Sequence, residues 1–461
     1  MPESIIISEQ VKQRISARAT LVAIGAKVRA KGVFEPVAKH VKIGQKTVRH
    51  TPQEKLLDAY INILAGGHGT VEVNKRVRSD RALQLAFGRG GCAEQSVVQD
   101  TLDACTAENV AQMHRAMQEI YRQHSSGYRH NYEVEWQLLD ADLTGRPCGK
   151  KATLAQKRYF ARQRNRRGRQ VGYVVATHYD EIVVERVYAG KEQLSRALPG
   201  LIKETEQTLG LTEAQRKRTI WRVDAGGGSV EDVNCALERG YQFHGKDYSA
   251  SRVETLMDGI EWFTDPKDAK REFGWVAVPC DLYVRPVKRI AVRCRKKNGQ
   301  WRQAVLLSTL RPEWVLDLTE QPIECLQDPL AVLCAYVYLY DQRGGGVETE
   351  IKEDKQGLGT KNRNKKRFEA QQMVVQLEAL AHNTLVWVRR WLSAYCPRIK
   401  SWGMLRLVRD LCHMTGLILF DQEDYIRQIV LNQADPVARE SSFGLASILA
   451  REQIAVILGE I

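Results

Sequence analysis

None of the ten cysteines of this 461-residue chain forms a Cys-x-x-Cys pair, and several, such as Cys334 in Ala331-Val-Leu-Cys-Ala-Tyr336, sit inside apolar runs. That scatter excludes a zinc ribbon or a disulfide frame and reads as reduced core thiols. No apolar run approaches the roughly 18–20 residues that a bilayer-spanning helix needs. The N-terminus has no apolar signal region after a basic start, so the expectation is a soluble, cytoplasmic protein without a membrane partner. Internal repeats and low-complexity linkers are missing as well. Acid is absent from one long stretch. Residues 145–170 hold ten Lys and Arg (Arg146, Lys150, Lys151, Lys157, Arg158, Arg162, Arg164, Arg166, Arg167, Arg169) and no Asp or Glu. A run that one-sided differs from an ordinary mixed-sign surface, and backbone phosphate is its natural counter-charge.

The whole chain is basic too, with 69 Lys and Arg against 55 Asp and Glu for a formal charge of +14, which favours polyanionic partners such as nucleic acid. Its length allows two or three domains, and five segments can be read along it. Residues 1–131 form a basic, helical, DNA-binding region. In it Thr51-Pro-Gln-Glu54 makes a capping box, Leu56, Leu57, Tyr60, Ile61 and Leu64 recur at helical spacing, and Gly66-Gly67 stops the helix. Residues 132–274 bring strand character at 133–144, a hairpin over 171–188, a helix at 191–207, a strand at 218–224 and a helix at 230–239. Three strands, a helix, a strand and a helix is the order of an RNase H-like α/β core, whose sheet presents acids at strand ends. Residues 275–328 are a β-rich insertion that interrupts this core. Residues 329–395 are its second part, with a strand predicted over 329–340, and 396–461 a helical C-terminal tail. Leu377, Leu380, Ala381, Leu385 and Val388 make one apolar helix face, and Trp301 and Trp314 of the insertion read as packing residues.

Three acids share a context. Asp142 ends the first strand in Leu-Asp-Ala-Asp-Leu-Thr, Asp224 ends a later one in Trp-Arg-Val-Asp-Ala-Gly-Gly-Gly, and Glu348 opens a helix predicted from the spacing of Glu348, Lys352 and Lys355. Phosphodiester chemistry with two divalent ions about 3.5–4 Å apart needs such a small carboxylate cluster. Asp140 and Glu350 compete for two of these places, although Glu350 points about 200° away from Glu348 on a helix. Asp224 before a glycine run also suits a plain turn.

These motifs, together with Tyr340, Arg343, Glu348 and Lys355, resemble a bacterial insertion-sequence transposase of the DDE type, in the IS-four superfamily and its thirteen-eighty branch, marked by a Tyr-Arg-Glu-Lys signature and a β insertion before the Glu. The resemblance covers residues 20–400 or so. It implies Asp142, Asp224 and Glu348 as catalytic ligands of two divalent metal ions, magnesium with manganese as a substitute. Those ions would serve hydrolysis at each transposon end and attack of the freed 3′-hydroxyl on target DNA. It further implies that Tyr340, Arg343 and Lys355 grip phosphates, that the partner is double-stranded DNA carrying terminal inverted repeats, and that a homodimer forms the synaptic complex in the bacterial cytoplasm. Arg164, Arg166, Arg167, Lys365 and Lys366 are read as further backbone contacts, in the basic run and in the loop 361–367. Between Arg343 and Glu348 stand four residues where the family pattern has three, whereas the six before Lys355 match it. The alternatives are a catalytically inactive DNA-binding regulator derived from a transposase, a structure-selective nuclease of the same fold, and a recombinase using Tyr340 as nucleophile.

Overall fold

The computed structural model describes residues 12–160, 163–248, 253, 255–345 and 347–461, with the side chains of Val347, Glu348 and Glu350 outside that description. In chain order its strands are β1 (Lys12–Ser16), β2 (Gln137–Pro147), β3 (Gln156–Phe160), β4 (Gln163–Ala176), β5 (Glu181–Tyr188), β6 (Thr219–Val223), β7 (Gln242–Lys246), β8 (Phe263–Asp265), β9 (Asp268–Trp275), β10 (Lys288–Arg295), β11 (Trp301–Ser308), β12 (Gly416–Phe420), β13 (Ile426–Asn432) and β14 (Ala455–Gly459). They divide between two compact units, one of Met1–Ser125, Pro147–Ala155 and Glu350–Ile461, the other of Ser126–Arg146 and Gln156–Thr349.

The second unit is built on one mixed sheet of order β3-β4-β2-β6-β7-β11-β10-β9-β8, with β5 also paired to β4. Strands β2, β6 and β7 run parallel, whereas β4 and β5 form the antiparallel hairpin anticipated over 171–188. The insertion strands do not form a separate sheet. Strand β11 pairs antiparallel with β7, so β8–β11 prolong the central sheet. Helices fill the parallel crossovers, Leu194–Leu209 before β6 and Val230–Glu238 between β6 and β7.

The segment 329–340, predicted as a strand, is instead part of the helix Pro329–Gly345. Leu330-Ala-Val-Leu-Cys-Ala-Tyr-Val-Tyr-Leu-Tyr340 is apolar at every position, and such a run carries no period to separate strand from helix. Burial explains the pattern. Leu333, Ala335, Tyr336, Val337 and Leu339 are enclosed in a core shared with Leu138, Ile220, Phe273, Ile290 and Leu306 of the sheet. Trp314 belongs to that cluster and packs on Trp136 with ring centres 4.7 Å apart.

In the first unit the helix Phe368–Ser393 is surrounded by protein along most of its length. Helices Pro52–Leu64 and Ala107–His124, the former with the capping box read from the sequence, pack against it. Several of its buried polar groups are matched: Tyr60 and Thr384 hydroxyls at 2.8 Å, Arg363 and Glu378 at 3.1 Å, His382 Nδ1 and Asp354 at 2.9 Å. The tail 396–461, expected to be helical, contributes three strands. Its β12 and β13 form a hairpin that joins β1 and β14 in a sheet of order β1-β12-β13-β14. Gly416-Leu-Ile-Leu-Phe420 is too short for a helical stripe, and its burial on both faces hides the alternation of a strand. Although Phe368–Ser393 is long, no helix among the described residues is long and apolar enough to cross a membrane.

Candidate active site

The parallel register of the second unit brings distant residues level with one another. Ala141 pairs with Val223, and Val223 with Gly245, so the next residue on each strand is Asp142 on β2, then Asp224 after β6, then Lys246 on β7. One pleat earlier, at positions that face the same way, stand Asp140, Arg222 and His244. Two polar rows therefore cross three adjacent strands on one face, and the helix Pro329–Gly345 is pinned to them. Arg222 Nη1 donates to the Leu339 carbonyl at 3.0 Å, the Arg343 guanidinium donates to the Ala141 carbonyl at 2.9 Å, and His244 Nε2 lies 3.1 Å from the Tyr336 carbonyl.

The inner row is structural. Asp140 accepts from Arg222 Nε at 2.6 Å, from Arg222 Nη2 at 2.7 Å and from the Thr177 hydroxyl at 2.8 Å, with both ionic side chains wholly buried. A carboxylate so engaged and wholly buried is not presented to a ligand from solvent. This separates Asp140 from its neighbour two residues on. Asp142 is partly exposed, holds the Leu143 amide at 2.8 Å, and lines a cavity of about 210 Å³ together with Asp224, Arg158, Gln170, Glu192, Gln193, Gly226 and Tyr248. Asp224 caps the turn that follows it, accepting from the Gly226 amide at 2.8 Å. Two residues on, a Cβ at Gly228 would overlap the Lys246 carbonyl oxygen, which is why the third glycine of the run is required.

Arg343 sits beneath the acids, its side chain 2% exposed and 3.8 Å from Asp142. Burial opposes its charge, but Asp142, Asp140, Tyr340 and Asp224 outweigh that cost and push its pKa up. The expectation that Arg343 grips a phosphate does not fit this burial; its guanidinium braces the Asp142 strand. Tyr340 is half-buried against His244, and the Lys246 ammonium lies 4.7 Å from its ring centre. Burial, with help from Arg302 and Arg343, lowers the Lys246 pKa against the pull of Asp341 and Asp224. Burial and the neighbouring Arg222 lower that of His244 to about 3. Sequence reading missed Lys246, His244 and Arg222. The signal was a short strand, Gln242-Phe-His-Gly-Lys246, that follows a helix stopped by Gly240 and ends on a cation.

Other expected site residues are placed as follows. Glu348 is on the first turn of the helix Val347–Gln356, its side chain outside the described residues, as is that of Glu350. Lys355 is near the end of the same helix and is assigned to the first unit. Arg164 and Arg166 are exposed on β4, Arg167 is half-buried there, and Arg162 lies outside the described residues. The loop 361–367 is exposed at Lys361, Asn362, Asn364, Lys366 and Arg367, as expected, but not at Arg363 and Lys365. Arg363 is buried, donating to Glu378 and to the Gly67 and Leu358 carbonyls. Lys365 is 7% exposed with its ammonium on Gln99 at 2.6 Å, and Arg367 donates to the Asp103 and Cys105 carbonyls, which leaves Lys366 as the exposed one of the two expected phosphate contacts. These cations close helix ends and loops because their stems are long enough to reach unpaired carbonyls.

The carboxylates and amides around the cavity are hard oxygen donors, the kind that suits magnesium or manganese. Asp142 and Asp224 supply two carboxylates and Glu192 a third on the wall, although no three described side chains approach as a ligating group. Comparison with known proteins adds little. No family model and no curated protein matches the sequence. Among solved structures, a cryo-electron microscopy structure of a piggyBac transposase synaptic complex with hairpin DNA is similar over 87% of this chain and 81% of that one, at 12% identity and a TM-score of 0.44, too slight a likeness to carry residues across.

Proposed function

We propose that this chain is a DNA transposase of the DDE type, with an RNase H-like core that cuts the phosphodiester at the ends of its element and joins the freed 3′-hydroxyl to target DNA. The observation that carries the reading is the meeting of Asp142 and Asp224, 82 residues apart in sequence, at one level of two adjacent parallel strands and on one cavity wall. Asp142 does not end its strand as expected, since β2 runs on to Pro147; it stands just past the last pair of β2 with β6, beside Asp224 just after β6, so the two acids are still presented together on neighbouring strands. Asp142 and Asp224, with Glu348 from the following helix, would hold the divalent ions. When bound, those ions stabilise the charge developing on phosphate oxygens and make water a better nucleophile.

The chain's own groups prepare that site. Arg343 sets its guanidinium 3.8 Å from Asp142 and fixes the strand that carries it. The amides of Gln170 and Gln193 and the Arg158 guanidinium are on the same wall, where they can hydrogen-bond phosphate and sugar oxygens. Lys246, level with Asp224 and held over Tyr340, sets a cation beside the acids. The test is magnesium- or manganese-dependent cleavage of a duplex carrying the element's own ends, comparing wild type with Asp142→Asn, Asp224→Asn and Glu348→Gln. Cleavage by the wild type and none by the variants is expected; equal cleavage by all overturns the assignment.

A further inference from the structure

The acid-free stretch folds as a ribbon. Strand β3 pairs with the first half of β4 in a register that sets Lys157 opposite Arg167 and Arg158 opposite Arg166. Like charges directly opposite on paired strands destabilise the pair, and here two successive positions are of that kind. Lys157, Arg158, Arg164 and Arg166 are exposed, and Tyr159 between them is 61% exposed. Among the described residues none of these four cations forms an ion pair; Arg158 donates to the Glu192 carbonyl and Arg166 to the Gln163 amide. An ordinary charged surface would intersperse acids to relieve this repulsion. The ribbon has none of its own, and a polyanion can supply the counter-charge of Lys157, Arg164 and Arg166.

The ribbon is anchored through Phe160, which pairs with Gln163 at its turn end. Phe160 is buried over Gly145 and Gly168, and Arg158 belongs both to the ribbon and to the wall that Asp142 and Asp224 line. We propose that the β3–β4 ribbon is a duplex-DNA clamp that holds the sugar-phosphate backbone through Lys157, Arg164 and Arg166 and leads it, by way of Arg158, into the acid cavity. The occupant follows from charge and shape. A narrow two-stranded ribbon with cations on both faces fits a groove flanked by two rows of phosphate, as β-ribbon DNA readers do. This rests on the phosphodiester reading of the cavity, and the experiment separates the two.

The full-length protein is titrated against a labelled arbitrary duplex of about 30 base pairs over a series of sodium chloride concentrations, because phosphate contacts act without regard to sequence. The ribbon variant is Lys157→Gln, Arg164→Gln, Arg166→Gln. The control removes the same charge from exposed lysines elsewhere in this unit, Lys217→Gln, Lys270→Gln, Lys296→Gln. Each lost phosphate contact lowers the log–log salt slope by about 0.9, so the ribbon variant should lose about 2.7 and bind roughly tenfold or more weakly near 0.1 M salt, with the control within about one unit of wild type. Relief of the cross-strand repulsion should leave the ribbon variant melting no lower than wild type, so weak binding cannot come from unfolding. A ribbon variant with the wild-type slope, a control that loses as much, or a wild type that binds no duplex overturns the clamp. Failure of the cavity reading looks different: ribbon-dependent binding survives, with no metal-dependent cutting.

Discussion

Replacing either of two aspartates on one strand, two residues apart, should have opposite consequences. Asp140→Asn leaves the volume almost unchanged but strands the Arg222 guanidinium, which like its partner is wholly buried. Breaking one side of such a pair costs about 3–5 kcal/mol, because the remaining charge has no solvent to turn to. Arg222 keeps the Leu339 carbonyl, so the lower half of that range applies if β6 and the helix Pro329–Gly345 stay in register. In a unit of this size about 2–4 °C of melting temperature goes with each kcal/mol, so a fall of roughly 6–16 °C is expected in its transition. Asp142→Asn differs. The side chain is partly exposed and 3.8 Å from Arg343, which retains the Ala141 carbonyl, so stability should change by no more than about 1 kcal/mol. Cleavage should nevertheless vanish. Differential scanning fluorimetry read beside metal-dependent cleavage makes the comparison. An Asp142→Asn protein that melts as low as Asp140→Asn, or an Asp140→Asn protein that is stable and inactive, would exchange the two roles and refute the assignment.

Three further outcomes follow from the same geometry. Gly228→Ala pushes a methyl group into the Lys246 carbonyl, so it should lower stability by about 2 kcal/mol or more and displace Lys246; an unshifted melting curve contradicts the close approach. His244, ordinarily near 6.5 and lowered to about 3 by burial and Arg222, binds its proton in the unfolded chain first. Stability therefore falls as pH drops from about 6.5 toward 3, by about 2 kcal/mol between pH 7.5 and 5 from this group, and urea unfolding of His244→Gln should lack that component. Arg363→Ala removes one side of the buried pair with Glu378 and should destabilise the first unit by about 3–5 kcal/mol while leaving the salt slope of duplex binding unchanged; a lower slope would restore the loop 361–367 as a phosphate contact.

Much of this was legible locally. The Thr51–Glu54 capping box, the hairpin over 171–188 and the apolar stripe from Leu377 to Val388 each follow from side chains within a few turns of one another, and all are present. What misled was burial. The 329–340 run lost its helical period because protein surrounds it, and Gly416–Phe420 lost its alternation for the same reason. The loop 361–367 misled at two positions: charge density on paper suggested exposure throughout, whereas the long stems of Arg363 and Lys365 reach inward to carbonyl and amide oxygens.

The sequence by itself determined the chemistry on offer, namely carboxylates in and just after strand segments, a glycine run after Asp224 and a stretch of cations without acid, since composition and local spacing are properties of the chain alone. Which carboxylate is free, and what stands beside it, was decided only in three dimensions. Asp140 and Asp142 lie on the same face of β2 and are equivalent to any local rule. Parallel pairing with β6 sets Arg222 against the first and Asp224 against the second, and that register depends on residues more than 80 positions away.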